Sequence, residues 1–346
     1  MARVKLGEVA REYKATVKDT SGLPIVGLEH LTPGEISLEH WDEGTDNTFT
    51  KGFKKGQMLF GRRRAYLKKA ALAPFDGVCS GDITVIEAIP ERMNPELLPF
   101  IIQNDLLFDY AVGNSAGSLS PRVKWESLKN YEFDLPEMSK QSDLVELLKA
   151  AHETKRSYRA LLEATDELVK SQFIEMFQNK GYPMKKGKEL FKFSSGKFLP
   201  EEKRLDTGIP VYGGNGIAWY TDESLVDYDT IVIGRVGVYC GNVRLVRGSK
   251  WITDNAIYIS EFKTNDFKLE FLEALMTILD FHQYAGTAAQ PKITQKPLEE
   301  QMYIVPPIDE QVGFSKFVDQ SDKSKFELQQ AIQRVDNLIK SLISQE

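Results

Sequence analysis

The sequence predicts an α+β protein: two mixed α/β domains separated by two long antiparallel coiled-coil helices, arranged as a pseudo-twofold internal repeat. Three observations predict it. The chain is similar to itself at an offset of 170 residues. Two long stretches, residues 137–180 and 314–346, contain neither Gly nor Pro. Ahead of each lie short Val/Ile/Tyr/Phe-rich runs broken by Gly and Asp, with one helical stretch apiece, residues 94–110 and 267–284. The expected boundaries are 1–137 for the first domain, 138–180 for the first helix, 181–307 for the second domain and 308–346 for the second helix.

The offset is clearest where each domain hands over to its helix. Leu128 to Pro136, followed by Gln141, aligns with Leu298 to Pro306, followed by Gln311. Both read as a short apolar strand closed by a proline, which cannot continue a ladder. The same offset pairs two apolar seams. The first runs Leu144, Leu148, Ala151, Tyr158, Leu161 or Leu162, and Leu168 or Val169. The second runs Phe314, Val318, Leu328, Ile332, Val335, Leu338 or Ile339, and Leu342. Spacings alternating between three and four residues are those of a coiled coil. A helix of ~40 residues is ~60 Å long, too long for one small domain to wrap, so the simplest packing sets the helices against each other.

The domains match more loosely. Gly61-Arg62 follows an apolar strand, as Gly234-Arg235 does; Asp82 matches Asp254; and Pro121-Arg122-Val123 matches Pro291-Lys292-Ile293. The turn Tyr212-Gly213-Gly214-Asn215-Gly216 requires positive φ or a close backbone approach.

Composition is that of an ordinary globular protein, 42% hydrophobic and 27% charged, long enough at 346 residues for two domains. Two cysteines far apart, Cys79 and Cys240, argue against a disulfide framework. No apolar leader and no run of about 18 apolar residues is present, so the cytoplasm is the expected compartment. The net charge of −6 argues against a nucleic-acid binder, but its distribution answers that. Residues 51–69 hold eight basic side chains and no acidic one, and residues 230–250 hold four and none.

Signatures of catalysis are missing. There is no phosphate-cradling loop, no dinucleotide fingerprint and no pair of the four histidines at metal spacing. Asp82 and Asp254 read first as turn or cap residues, with positioning of a basic side chain as a further option. No catalytic or metal-binding residue is expected.

Taken in order, several stretches give the chain its resemblance to a known family. They are residues 56–69 (GQMLFGRRRAYLKK), 75–82 (FDGVCSGD) and 115–125 (SAGSLSPRVKW), then 209–216 (IPVYGGNG), 253–256 (TDNA) and 289–292 (AQPK). Together with both helices, they make the sequence resemble the specificity subunit of type I restriction-modification systems, which defend prokaryotic cells against foreign DNA. Residues 237–243 depart from the family pattern by carrying more residues between their glycines. The resemblance implies two target-recognition domains, each reading half of a split asymmetric site on double-stranded DNA. It implies helices that set the gap between the halves and dock two adenine-methylating modification subunits, with a restriction and translocation subunit joining. S-adenosylmethionine, ATP and Mg are then expected on those partners and no cofactor in this chain.

Physical reasoning assigns the basic residues. Lys54, Lys55, Arg62, Arg63, Arg64, Lys68 and Lys69, with Arg235, Arg244, Arg247 and Lys250, are expected to neutralise phosphates or read bases. The family stretches add Arg122, Lys124 and Lys292 as DNA-facing candidates, while Tyr212 and Asn215 stand as either interface or core. Two rival readings remain, a coiled-coil scaffold that does not read DNA and a stand-alone DNA-modifying enzyme.

Overall fold

The computed structural model describes residues 2–43, 48–286 and 291–344. Two compact units emerge: unit 1 comprises residues 1–159 with 329–346, and unit 2 residues 160–328. Long helices run through both. Helix α1 spans Met138–Phe177 and helix α2 spans Ile308–Ser344.

Each unit is built on a four-stranded antiparallel sheet of the same topology. In unit 1 the strands are β1 (Ala10–Glu12), β2 (Met58–Gly61), β3 (Ala70–Leu72) and β4 (Ile83–Ala88), in the order β1-β4-β2-β3. In unit 2 they are β5 (Phe191–Ser195), β6 (Thr230–Gly234), β7 (Val243–Val246) and β8 (Ala256–Phe262), in the order β5-β8-β6-β7. A two-stranded ribbon closes each unit. Ala2–Lys5 pairs antiparallel with Glu132–Leu135, and Met184–Lys186 with Met302–Ile304. The strand that leads into each long helix is thereby tied to the first strand of its own unit. The internal repeat is therefore a repeat of topology as well as of sequence. The smaller three-stranded sheets differ, Ile25–Val26, Gly77–Cys79 and Lys51–Phe53 in one unit, and Gly216–Thr221, Ile209–Gly213 and Trp251–Ile252 in the other.

The Pro-then-Gln signature has a concrete structural role. Buried Gln141 donates from Nε2 to the Pro136 carbonyl (2.9 Å) and accepts the Asn94 N–H at Oε1 (2.7 Å). Gln311, also buried, donates to the Pro306 (2.8 Å) and Asp266 (2.7 Å) carbonyls and accepts the Lys268 N–H (2.9 Å). In each unit one amide ties the first turn of the long helix, the strand exit and the start of a domain helix. Such ends leave backbone groups that need partners.

The single helical stretches expected over 94–110 and 267–284 are interrupted. In unit 1 the chain forms Leu98–Ile102, then restarts as Asp105–Gly113, because the Asn104 side chain accepts the Leu106 N–H (2.9 Å) and caps a new helix. In unit 2 helix Leu269–Ile278 stops, and left-handed Asp280 (φ 48°) caps a 3-10 turn at Phe281–Tyr284.

The helices run antiparallel within each unit. In unit 1, Lys155 on α1 pairs with Asp336 on α2 (2.6 Å), and Ile339 and Leu342 pack beside Leu144 on the core that holds Leu148. In unit 2, Lys325 pairs with Asp166 (3.1 Å), and Phe314 meets Phe173 and Phe177 at ring-centroid distances of 5.6 and 5.5 Å. Leu148, Ala151 and Phe314 are buried; Leu144, Tyr158, Leu162, Val169, Val318, Leu328, Ile332, Val335, Ile339 and Leu342 are half-buried. Leu161, Leu168 and Leu338, the alternatives one residue earlier, are exposed. Val145 and Phe177 are buried without belonging to the seam, because the domain covers a second face of α1 at each end.

Among the described residues no three or more His, Cys, Asp or Glu side chains are placed to hold a metal ion. No helix among them is long and apolar enough to cross a membrane.

Candidate nucleic-acid interface

In both units the sheet delivers an arginine to the same backbone frame. Arg62, one residue past β2, donates its N–H to the Asp82 carbonyl (3.0 Å) and accepts from Val123 (2.9 Å). Arg235, one residue past β6, donates to the Asn255 carbonyl (2.9 Å) and accepts from Ile293 (2.9 Å). The next residues form matching bridges, Arg63 with Arg122 and Val236 with Lys292. The preceding glycines make this turn possible. A Cβ on Gly234 would lie 2.1 Å from the Tyr239 carbonyl oxygen, and one on Gly61 3.0 Å from that of Lys69. Both arginines also keep a buried Nε with no partner. A buried unsatisfied donor is costly, and its occurrence at two equivalent positions marks both side chains.

Around Arg62 the other cations are variously engaged. Asp82 accepts Arg122 through Nε (2.7 Å) and Nη2 (3.3 Å), and Arg63 through Nη1 (3.4 Å). Asp82 is thus a positioning residue for two basic side chains, the less favoured of its two sequence readings. The Arg122 guanidinium beside it holds the Asp82 carboxyl below the usual carboxylate range. A depressed carboxyl contributes stability that is present above that range and lost as pH falls through its folded value. Asp82→Asn is therefore expected to cost about 1 kcal/mol at neutral pH, the guanidiniums being partly solvated. In urea titrations that difference should shrink on acidification; a difference independent of pH would mean the ion pair contributes nothing.

Arg64 and Lys68 flank the 3-10 turn Ala65–Leu67 in the left-handed region (φ 54° and 51°), a conformation that costs a non-glycine residue about 1–3 kcal/mol. Arg64 is exposed. Lys68 pairs with Asp105 (2.6 Å), Lys69 donates to the Leu28 carbonyl (2.7 Å), and Lys54 pairs with Asp76 (2.8 Å). Lys55 and Lys124 are exposed.

Unit 2 carries less free charge than its sequence suggests. Arg244 donates to the Asn215 carbonyl (3.3 Å) at the tip of a hairpin, and Arg247 is held by Asp229 (3.0 Å) and Glu270. Lys250 has to be removed from the DNA-facing set. It is fully buried, its ammonium donates to the Tyr228 and Val246 carbonyls, and burial pushes its pKa down. Tyr212 packs half-buried on the cluster of Val226, Val232 and Ile252. Asn215 and Lys292 are exposed. Positive φ in that turn falls only on Gly216 (φ 104°). Residues 287–290, which continue the matched Pro motif, lie outside the described residues. Sequence reasoning missed Arg204, stacked 4.1 Å over the Trp219 ring, and the exposed Tyr66, Leu119, Val238 and Tyr239.

Comparison with known proteins joins this geometry to a family. Residues 179–335 match the family model of the type I restriction modification DNA specificity domain. This segment belongs to that family. Over 139 residues, 39% of the chain, it is 30% identical to the type I restriction enzyme EcoprrI specificity subunit of Escherichia coli. That match covers about a third (34%) of the relative's own length. The fold likeness is wider. The S subunit of a type I restriction-modification system from M. genitalium aligns over 99% of this chain and 96% of its own (TM-score 0.57, 16% identity). A chain from a structure on complex assembly and conformational transition of the type I R-M system aligns equally widely (TM-score 0.57, 18% identity). The specificity domain thus accounts for the second half of the repeat, and the shared topology extends its architecture to the first.

Proposed function

We propose that the chain is the non-catalytic specificity subunit of a type I restriction-modification complex, in which each unit reads one half of a split site on double-stranded DNA. The observation that carries this reading is the matched pair Arg62 and Arg235, held in equivalent backbone frames one residue past a sheet strand. Arg63, Arg64, Arg122 and Lys124 in unit 1, and Arg244 and Lys292 in unit 2, supply surrounding positive charge for phosphate contacts. Because the units differ in sequence, the half-sites differ and the target is asymmetric, unlike the palindromes of homodimers. In this reading S-adenosylmethionine, ATP and Mg act on two modification subunits and a restriction and translocation subunit.

Methylome sequencing of cells expressing the chain with its modification partner tests the reading, since it returns both half-sites and the gap. Arg62→Ala is expected to weaken binding about tenfold or more and relax one half-site, and Arg235→Ala the other. A uniform loss with a salt slope lower by about 1 would instead make the arginine a phosphate anchor. If neither the wild type nor its complex shifts duplex DNA at any salt concentration, the proposal fails and the scaffold reading stands. Adding one heptad to α1 between Lys155 and Thr165, with the matching heptad in α2, is expected to lengthen the gap in the methylated site. An unchanged gap would exclude a spacing role for the helices.

A further inference from the structure

We infer that Leu119 in unit 1 and Val238 in unit 2 are apolar fingertips that enter the DNA groove and pack on a thymine methyl group. The inference rests on the DNA-reading proposal and adds residues whose type gave no hint of it. Among the described residues these are the two most exposed large aliphatic side chains, at 92% and 80%. A single exposed aliphatic is ordinary. Their placement is not.

Leu119 sits at the tip of a loop that cannot fold back over it. Ala116 and Arg122 exchange both backbone hydrogen bonds (3.0 and 2.9 Å), the Pro121 carbonyl accepts the Arg64 N–H (2.8 Å), and Ser120 Oγ accepts from Arg63 Nε. Arg63 and Arg122 are in turn fixed by Asp82. Burying Leu119 would require breaking the arginine frame. In unit 2 the turn after Arg235 is closed in its own way. Gly237 donates to the Pro291 carbonyl (3.0 Å), Cys240 to Gly237 (3.0 Å) and Gly241 to Gly234 (2.8 Å), leaving Val238 at the apex. Both units thus present an exposed apolar tip on a loop bonded to the turn that carries the matched arginine, although the tips come from different loops.

An aliphatic side chain has no donor or acceptor, so the only base-edge feature it can select is the thymine 5-methyl. The neighbouring arginines bring the phosphates and orient the tip, which favours DNA over an apolar protein partner. Burying one methyl corresponds to about fourfold in affinity.

The full chain, wild type and as Leu119→Ala or Val238→Ala, is offered a random duplex library. The selected duplex is then resynthesised with uracil replacing each thymine in turn. For the wild type, one uracil in each half-site is expected to cost about fourfold. Leu119→Ala should lose that discrimination in one half-site only, and Val238→Ala in the other. Both positions are exposed, so the variants fold. Retained thymine preference, equal weakening of thymine and uracil duplexes, or half-sites enriched without thymine would each overturn the inference while leaving DNA reading intact. If neither the wild type nor its complex with the modification partner selects any sequence, it is the DNA-reading proposal that fails.

Discussion

Replacing Phe314 with Ala is expected to cost unit 2 about 3–5 kcal/mol, the range for deleting a fully buried aromatic side chain. Phe314 is the second helix's contribution to an aromatic cluster with Phe173, Phe177 and Phe271, its ring centroid 5.5–6.0 Å from theirs. Sheet strand β5 joins the same core through Phe191. Removing one ring leaves a cavity that several rigid aromatics cannot collapse into, so the cost should lie well above simple transfer. A single domain has about 5–15 kcal/mol in total, so the variant should approach the unfolding threshold. Hydrogen exchange resolved by segment measures this, with β5 and β8 losing protection before β2 and β4. Phe326, on the same helix but exposed, is the control. Its Ala variant should stay within about 0.5 kcal/mol. Equal effects at the two positions would refute the assignment of Phe314 to the core.

Gln311→Leu is the second large effect. Leucine keeps roughly the volume of the side chain but strands three backbone groups, the Lys268 N–H and the carbonyls of Asp266 and Pro306. Each buried group left unpaired costs about 1–3 kcal/mol, so a net loss of about 2–4 kcal/mol is expected after partial hydration. Gln141→Leu strands two such groups and should cost less. Chemical denaturation of both variants checks the order. A neutral Gln311→Leu would mean that the amide does not hold the helix start to the strand exit.

These two residues show how differently parts of the fold are legible. Gln141 and Gln311 stand out from the amino-acid order alone, because a polar residue repeated at one offset behind a strand and a proline is improbable by chance. Phe173 and Phe271 do not, since an aromatic on a helix carries no mark of which neighbour it meets. Seam leucines are readable only to within one residue. Leu161 and Leu162 fit the heptad equally well, and only the partner helix selects between them.

The candidate site is less legible than the fold. A run of basic residues reads as uniform positive charge, yet Lys54, Lys68 and Arg247 are paired with carboxylates distant in sequence, and Lys250 is buried on two carbonyls. Nothing near Lys250 in sequence distinguishes it from Arg247. Leu119 and Val238 carry no signal of their own, because residue type predicts burial for them and only their loops hold them outside.

The sequence by itself determined the repeat, the two long helices, the strand–Pro–Gln junctions and the matched Gly-Arg turns. These depend on local periodicity and on backbone limits that residue type imposes directly. Only the tertiary structure decided which cations are spent, which seam alternative faces inward and where Asp82 places its arginines. Those outcomes depend on residues brought together from about 20 to more than 100 positions apart, and no local pattern encodes such pairings.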